Sequence, residues 1–277
     1  MSKELNKDEV IRNKKKSIKA LNKMLESFIN DTSEKHLKKA NLISYWLNSY
    51  TSYLQNEESF SPSRLIRYKR GSVVRVNFGF NVGKELGGLH YAVVLDNDNK
   101  RNADVLTIIP LSSTDEKTVH ERNVDLGSEL YKKISSKQES LLEQADKELS
   151  ELKSLANALK TASDALYDLN ATCDENINEK IQKIEQTRNE CSSKQQQLEK
   201  RIAMLTKNGI EIKKLKFGSM AVVNQITTIS KQRIYAPKYS EDFLYGVKLS
   251  PSAMDRINNK VKELYIFDEH FIYKNYL

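Results

Sequence analysis

The spacing of apolar residues changes character several times along this chain, and each change predicts a different kind of element. Within residues 8–55, Val10, Ile11, Ile18, Leu21, Leu25 and Phe28, then Leu37, Ile43, Trp46, Leu47, Tyr50 and Leu54, recur at helical spacing, which predicts two helices. The polar stretch 30–34 separates them and offers Asp31, Thr32 or Ser33 as an N-cap. Ser61-Pro62-Ser63 ends the helical region. From Lys69 the period shortens. Val73, Val74, Val76 and Phe78 predict a strand, residues 81–88 a glycine-punctuated loop, and residues 91–95 and 105–111 two further strands.

Residues 129–207 contain neither proline nor glycine and carry a heptad repeat. Leu142, Ala145, Leu149, Leu152, Ala156, Leu159, Ser163 and Leu166 form one series, and Ile177, Ile181, Ile184, Arg188, Cys191, Gln195, Leu198, Ile202 and Leu205 a second. A break at 169–175 near the midpoint predicts an antiparallel coiled-coil hairpin with arms of about 35 residues, roughly 50 Å each. Arg188 and Gln195 either set its register or simply weaken the seam. After Gly209 the strand pattern resumes at Met220, Val222 and Val223, continues through Ile226 and Ile229, and residues 243–249 predict one more strand. Ser250-Pro251-Ser252 then starts a helix with Met254, Ile257, Val261 and Leu264 on one face. The simplest organisation is an N-terminal helical extension (1–68), a β domain (69–128 and 208–277), and a hairpin (129–207) inserted into it.

Composition narrows the classes. Charged residues are 30% and mean hydropathy is −0.62, and no run of about 18 apolar residues occurs, so the expectation is a cytoplasmic protein without a membrane span. The net charge of +8 is uneven: residues 1–68 hold 13 basic and 8 acidic side chains and residues 208–277 hold 11 and 7, a basic excess at both ends that suits a polyanion such as nucleic acid. Two cysteines, Cys173 and Cys191, and four scattered histidines, His36, His90, His120 and His270, are too few for a disulfide framework or a zinc finger. The expectation is no metal and no cofactor, with inert thiols. Tyr45, Trp46, Tyr50 and Tyr53 lie near basic residues, which suits either base stacking or a helix face packed on the β domain.

Three segments together resemble the MazF/PemK family of toxin endoribonucleases: residues 70–78, residues 81–95 (Asn81-Val82-Gly83-Lys84-Glu85-Leu86-Gly87-Gly88-Leu89-His90-Tyr91-Ala92-Val93-Val94-Leu95), and Thr107-Ile108-Ile109-Pro110-Leu111-Ser112. Beyond the hairpin, Gln225-Ile226-Thr227-Thr228-Ile229-Ser230-Lys231-Gln232-Arg233 resembles the family's "Q-I-x-T-I-x-K-x-R" run. The resemblance covers about 69–126 and 216–267. It implies an α+β fold, an SH3-like β barrel with a C-terminal helix, here interrupted by the coiled-coil hairpin and preceded by helices. It also implies a homodimer that cuts single-stranded RNA without metal and is neutralised by a cognate antitoxin. The family's catalytic pair, an Arg after the glycine loop and a Thr or Ser ending the third strand, falls on His90 and Ser112, so a histidine stands in place of the arginine.

Metal-free RNA cleavage uses the 2′-OH as nucleophile and needs a proton acceptor, a proton donor and hydrogen-bond donors for the charged phosphorane. An imidazole serves as either acid or base near neutral pH. The lost permanent charge has Lys84, Arg75 or Arg122 as replacements. Candidate substrate-binding residues are Lys84, Glu85, Gly87 and Gly88 of the loop, Ser113, His120 as a second proton-transfer group, and Gln225 and Thr227. The alternative is a module of the same fold that binds nucleic acid or protein without cutting RNA, a gyrase-poison-like toxin included, and acts through the hairpin.

Overall fold

The computed structural model describes residues 6–114, 119–169, 175–213 and 217–266. Cys173 and His270 lie outside the described residues. The chain divides into two compact units, Met1–Ser61 with Asn77–Leu89, and Pro62–Val76 with His90–Leu277.

The first unit is built on two helices, α1 (Lys7–Ile29) and α2 (Glu34–Gln55). Asn6 caps α1 by accepting from the Asp8 N–H at 2.9 Å. Ser33 occupies the N-cap position of α2, yet its hydroxyl makes no capping bond. The turn is organised by Asp31 instead: one carboxylate oxygen accepts from the Ser33 N–H at 2.8 Å and the other pairs with His36 Nδ1 at 2.7 Å. The hydrogen bond from His36, then that from Ser33, holds the Asp31 carboxyl below the usual carboxylate range. Phe28 stacks on the His36 ring at 5.3 Å and closes the corner.

The second unit is α+β. Its seven-stranded antiparallel sheet has the order β4-β5-β3-β2-β1-β7, with β6 also on β3. The strands are β1 (Val73–Asn77), β2 (Leu89–Val94), β3 (Val105–Thr114), β4 (Val124–Gly127), β5 (Gly218–Ala221), β6 (Thr227–Ser230) and β7 (Ile234–Ala236). The long β3 is the organiser: one end pairs with β6 and the other with β5, while β2 runs along its opposite edge. Alternate residues of β3 serve two buried layers. Ile109 and Leu111 join Val73, Val93, Val124, Leu126 and Ala221 in the main core, whereas Leu106 and Ile108 are buried on the other face. The helix α5 (Pro251–Tyr265) covers the main core with Ala253, Met254 and Ile257.

The continuous strand expected across 220–229 is broken. β5 ends at Ala221, a 3₁₀ turn occupies Val223–Gln225, and β6 begins at Thr227. The break lies along β3 beside Pro110, whose carbonyl accepts from the Val222 N–H at 2.9 Å but which has no N–H to return. Residues 243–249 form turns rather than a strand, because Gly246 takes φ +80° and the Tyr245 and Val247 N–H groups donate back to Asp242 and Leu244. Only an isolated bridge, Ser72 with Lys248, ties this segment to the sheet. β4, which the sequence pattern did not suggest, forms because Val124 and Leu126 alternate into the core.

The helical insertion is α3 (Glu129–Leu169) and α4 (Glu175–Lys213), 41 and 39 residues long, or about 60 Å at ~1.5 Å per residue. The arms are antiparallel: Gln138 Nε2 donates to the Leu205 carbonyl near one end, and Tyr167 O–H donates to Glu185 at 2.8 Å near the other. Ala145, Ser163, Ile181, Cys191, Leu198 and Leu205 of the expected seam are buried, whereas Arg188 is exposed, its charge close enough to act on Tyr167 of the other arm. α4 runs past Gly209, where the helix was expected to have ended, because the extra turn buries Ile212 at 3% exposure. Leu130, Ile134, Leu205 and Ile212 belong to the same core as the sheet, so the root of the hairpin is part of that hydrophobic body.

Candidate active site

His90 lies on β2 and Ser112 on β3, adjacent antiparallel strands. The register pairs Tyr91 with Leu111 and Ala92 with Pro110, so one further step sets His90 opposite Ser112. Residues directly opposite in an antiparallel ladder share a face, with Cβ atoms about 4.5–5.5 Å apart. The row continues across the sheet, since Ser112 pairs with Met220 and Met220 with Asp125. His90, Ser112, Met220 and Asp125 therefore form one line on the face that buries Ala92 and Ile108 deeper in the sheet. His90, Ser112 and Met220 are half-buried and Asp125 is exposed, so this face opens to solvent at the row.

Other candidates are placed differently. Ser113 alternates to the opposite face, where it pairs with Ser219. Thr227 pairs with Ile108, four residues along β3 from Ser112 and so about 13 Å away; Gln225 sits in the 3₁₀ turn before it. Arg75 lies over the rings of Tyr91 and Tyr235, at 5.9 and 5.3 Å, and Tyr91 alternates with His90, so Arg75 is on the face away from the row. His120 is exposed in a turn closed by the Asn123 N–H on its carbonyl, and its Nδ1 accepts from the Arg122 N–H at 3.2 Å. That turn docks at the row through Asn123 Nδ2, 3.5 Å from Met220 Sδ. Asp125 and Met220 were missed by sequence reasoning; the alternation of Val124 and Leu126 around Asp125 was the available signal.

Lys84, Glu85, Gly87 and Gly88 belong to the first unit. Their loop is tightly folded: Gly88 donates to the Gly79 carbonyl at 2.6 Å, Phe78 to the Gly88 carbonyl at 2.8 Å, and Asn81 Nδ2 to the Leu86 carbonyl at 2.8 Å. A Cβ on Gly87 would meet the Gly79 carbonyl oxygen at 2.8 Å, which explains the need for glycine there. Glu85 accepts from the Val82 N–H at 3.4 Å, and Lys84 is exposed.

The lysine of the late-strand run is structural. Lys231 has no exposed surface, and its Nζ donates to the carbonyls of Lys100 and Arg101 at 3.0 and 3.4 Å, fastening the β2–β3 connection to the end of β6. Burial lowers its pKa, with Asp104 and Asp96 opposing. A second feature of this unit is a groove between α3 and residues 245–251, lined by Lys132, Lys133, Lys137 and Lys248. Among the described residues, no three His, Cys, Asp or Glu side chains gather to hold a metal ion, and no helix is long and apolar enough to cross a membrane.

An antiparallel sheet carrying a half-buried histidine and serine on neighbouring strands, with a C-terminal helix on its core, makes this an α+β domain. Residues 69–168, from β1 through nearly all of α3, match the family described as PemK-like, MazF-like toxin of type II toxin-antitoxin system. No curated protein matches the chain.

Proposed function

We propose that the chain is a toxin endoribonuclease that cuts single-stranded RNA by transphosphorylation, with the two β segments flanking the hairpin acting as one SH3-like barrel. The observation that supports this reading is the β2–β3 register, Tyr91 with Leu111 and Ala92 with Pro110, which, carried one residue further, puts His90 opposite Ser112. Neutral His90 takes the proton of the 2′-OH as its oxygen attacks phosphorus. Ser112 donates to a non-bridging oxygen as charge builds on the phosphorane. The P–O5′ bond breaks, the departing 5′-oxygen takes a proton from solvent, and the products are a 2′,3′-cyclic phosphate and a 5′-OH. His120, with Nδ1 engaged by the Arg122 N–H, offers Nε2–H as a further donor. The four-lysine groove supports a polyanionic substrate, since lysines neutralise backbone phosphates without reading sequence. An antitoxin restrains the activity, and two copies of the chain form the working toxin.

Incubating total RNA with the purified chain in EDTA and mapping the cut ends tests the mechanism. Discrete cuts bearing 2′,3′-cyclic phosphate are expected, and His90→Ala should lose at least about a hundredfold in rate, the usual worth of a proton-transfer group, with an unchanged circular dichroism spectrum. Cutting that stops in EDTA, or His90→Ala cutting like the wild type, overturns the scheme. Intact RNA at every protein concentration overturns the nuclease reading in favour of a binding module.

A further inference from the structure

The first unit contains a hollow of about 370 Å³ between α2 and the loop preceding His90, near the low end of the range for small-ligand pockets. Tyr45, Trp46 and Phe80 supply aromatic surface, and Asn81 and Glu85 supply polar groups. Trp46 is its floor: a Cβ on Gly79 would lie 2.6–2.8 Å from three atoms of the indole, so only glycine lets the ring lie against the loop. The ring is braced by Tyr50 and Tyr53 at 5.7 and 6.2 Å, and Tyr53 in turn receives Asn77 Nδ2 at 3.2 Å. Tyr45, by contrast, stands 67% exposed at the rim, a large apolar ring that the fold does not bury.

We infer that this hollow binds one unstacked nucleobase of the RNA substrate, which deepens the nuclease reading and rests on it. Aromatic side chains hold bases by stacking, and the polar edge groups then read the base. Glu85 is the charged group of the lining, and an ionised carboxylate only accepts hydrogen bonds. Guanine presents two adjacent N–H donors, N1–H and N2–H, on its Watson–Crick edge and is the base this acceptor fits. The exposed Lys14, Lys15, Lys16, Lys19 and Lys23 of α1 place positive charge on the same unit, as a phosphate backbone requires. The helical extension thereby serves as a base-specificity element for the loop that leads into His90.

Trp46 is the sole tryptophan of the chain, so its fluorescence reports on the hollow alone. The full chain is titrated with 2′-O-methyl hexanucleotides, which have no free 2′-OH to attack, one all-uridine and one with a single guanine. The guanine oligonucleotide should quench Trp46 and bind more tightly than the uridine one. Tyr45→Ala, at an exposed position, should weaken binding about tenfold, the loss of one stacking partner. Glu85→Gln should bring the two oligonucleotides to equal affinity. If the chain cuts total RNA while neither oligonucleotide alters Trp46 emission, or while Tyr45→Ala binds as the wild type does, the inference fails and the nuclease reading stands. Equal affinity of the wild type for the two oligonucleotides removes the guanine assignment. A chain that neither cuts nor binds RNA removes both readings together.

Discussion

Two side chains in the second unit show how burial at single residues shapes the response to pH. Tyr68 is 1% exposed and donates to the Pro237 carbonyl at 2.8 Å; burial, with the nearby Asp242 charge, raises its pKa far above the ordinary 10.0. The folded chain therefore keeps a proton that the unfolded chain gives up. That stabilisation is fully present below the ordinary value and is lost as pH climbs beyond it. Lys231, whose Nζ lies 5.8 Å from the Tyr68 ring, has the opposite sign: its folded pKa is lowered from 10.5, so its contribution improves as pH rises toward that value. Tyr68→Phe should lose about 1 kcal/mol at neutral pH with its hydrogen bond, yet show a shallower fall in Tm than the wild type above pH ~10. In the first unit, Gly79 combines φ +79° with the indole contact, so Gly79→Ala should cost at least about 2 kcal/mol, read as a lower denaturant midpoint by Trp46 emission.

At the scale of elements, the starts of α3 and α5 are tied together by one carboxylate. Glu129, the first residue of α3, accepts from the Ser250 N–H at 2.5 Å and from its hydroxyl at 2.9 Å, while the same hydroxyl accepts from the Ala253 N–H at 3.2 Å to cap α5. Ser250→Ala removes both hydroxyl bonds and should cost about 1–2 kcal/mol, measured by thermal unfolding. The capping role was readable in Ser250-Pro251; the pairing with a residue 121 positions away was not. The same contrast holds for strands. Apolar runs marked β1, β2 and β3 because each fills a buried layer. The four residues of β4 contain only two apolar positions, too short a pattern to stand out, and residues 243–249 bury Phe243, Leu244, Val247 and Leu249 from turns that an apolar run does not distinguish from a strand.

For the whole molecule, the hairpin is two things along its length. Its root, with Leu130, Ile134, Leu205 and Ile212, shares the core of the sheet, whereas its distal part packs arm on arm. Deleting 129–207 outright should unfold the second unit, because each lost core aliphatic costs on the order of 2–5 kcal/mol. Removing 153–193 and joining Leu152 to Lys194 with a short turn should instead leave a folded chain that retains RNA cutting, checked by calorimetry and the EDTA assay. Loss of cutting in that folded variant would assign the distal arms a part in the activity.

What the amino-acid order determined by itself was local: heptad spacing in α3 and α4, helical spacing in α1, α2 and α5, three apolar strands, and the motifs that carry the family resemblance. Each depends on neighbours within a turn or two of chain. The juxtaposition of His90 with Ser112, the removal of Thr227 from that row, the burial of Lys231 and the seating of Trp46 on Gly79 were decided by tertiary structure. Strand register and close backbone approach depend on which distant surfaces are buried together, a condition that no short stretch of sequence contains.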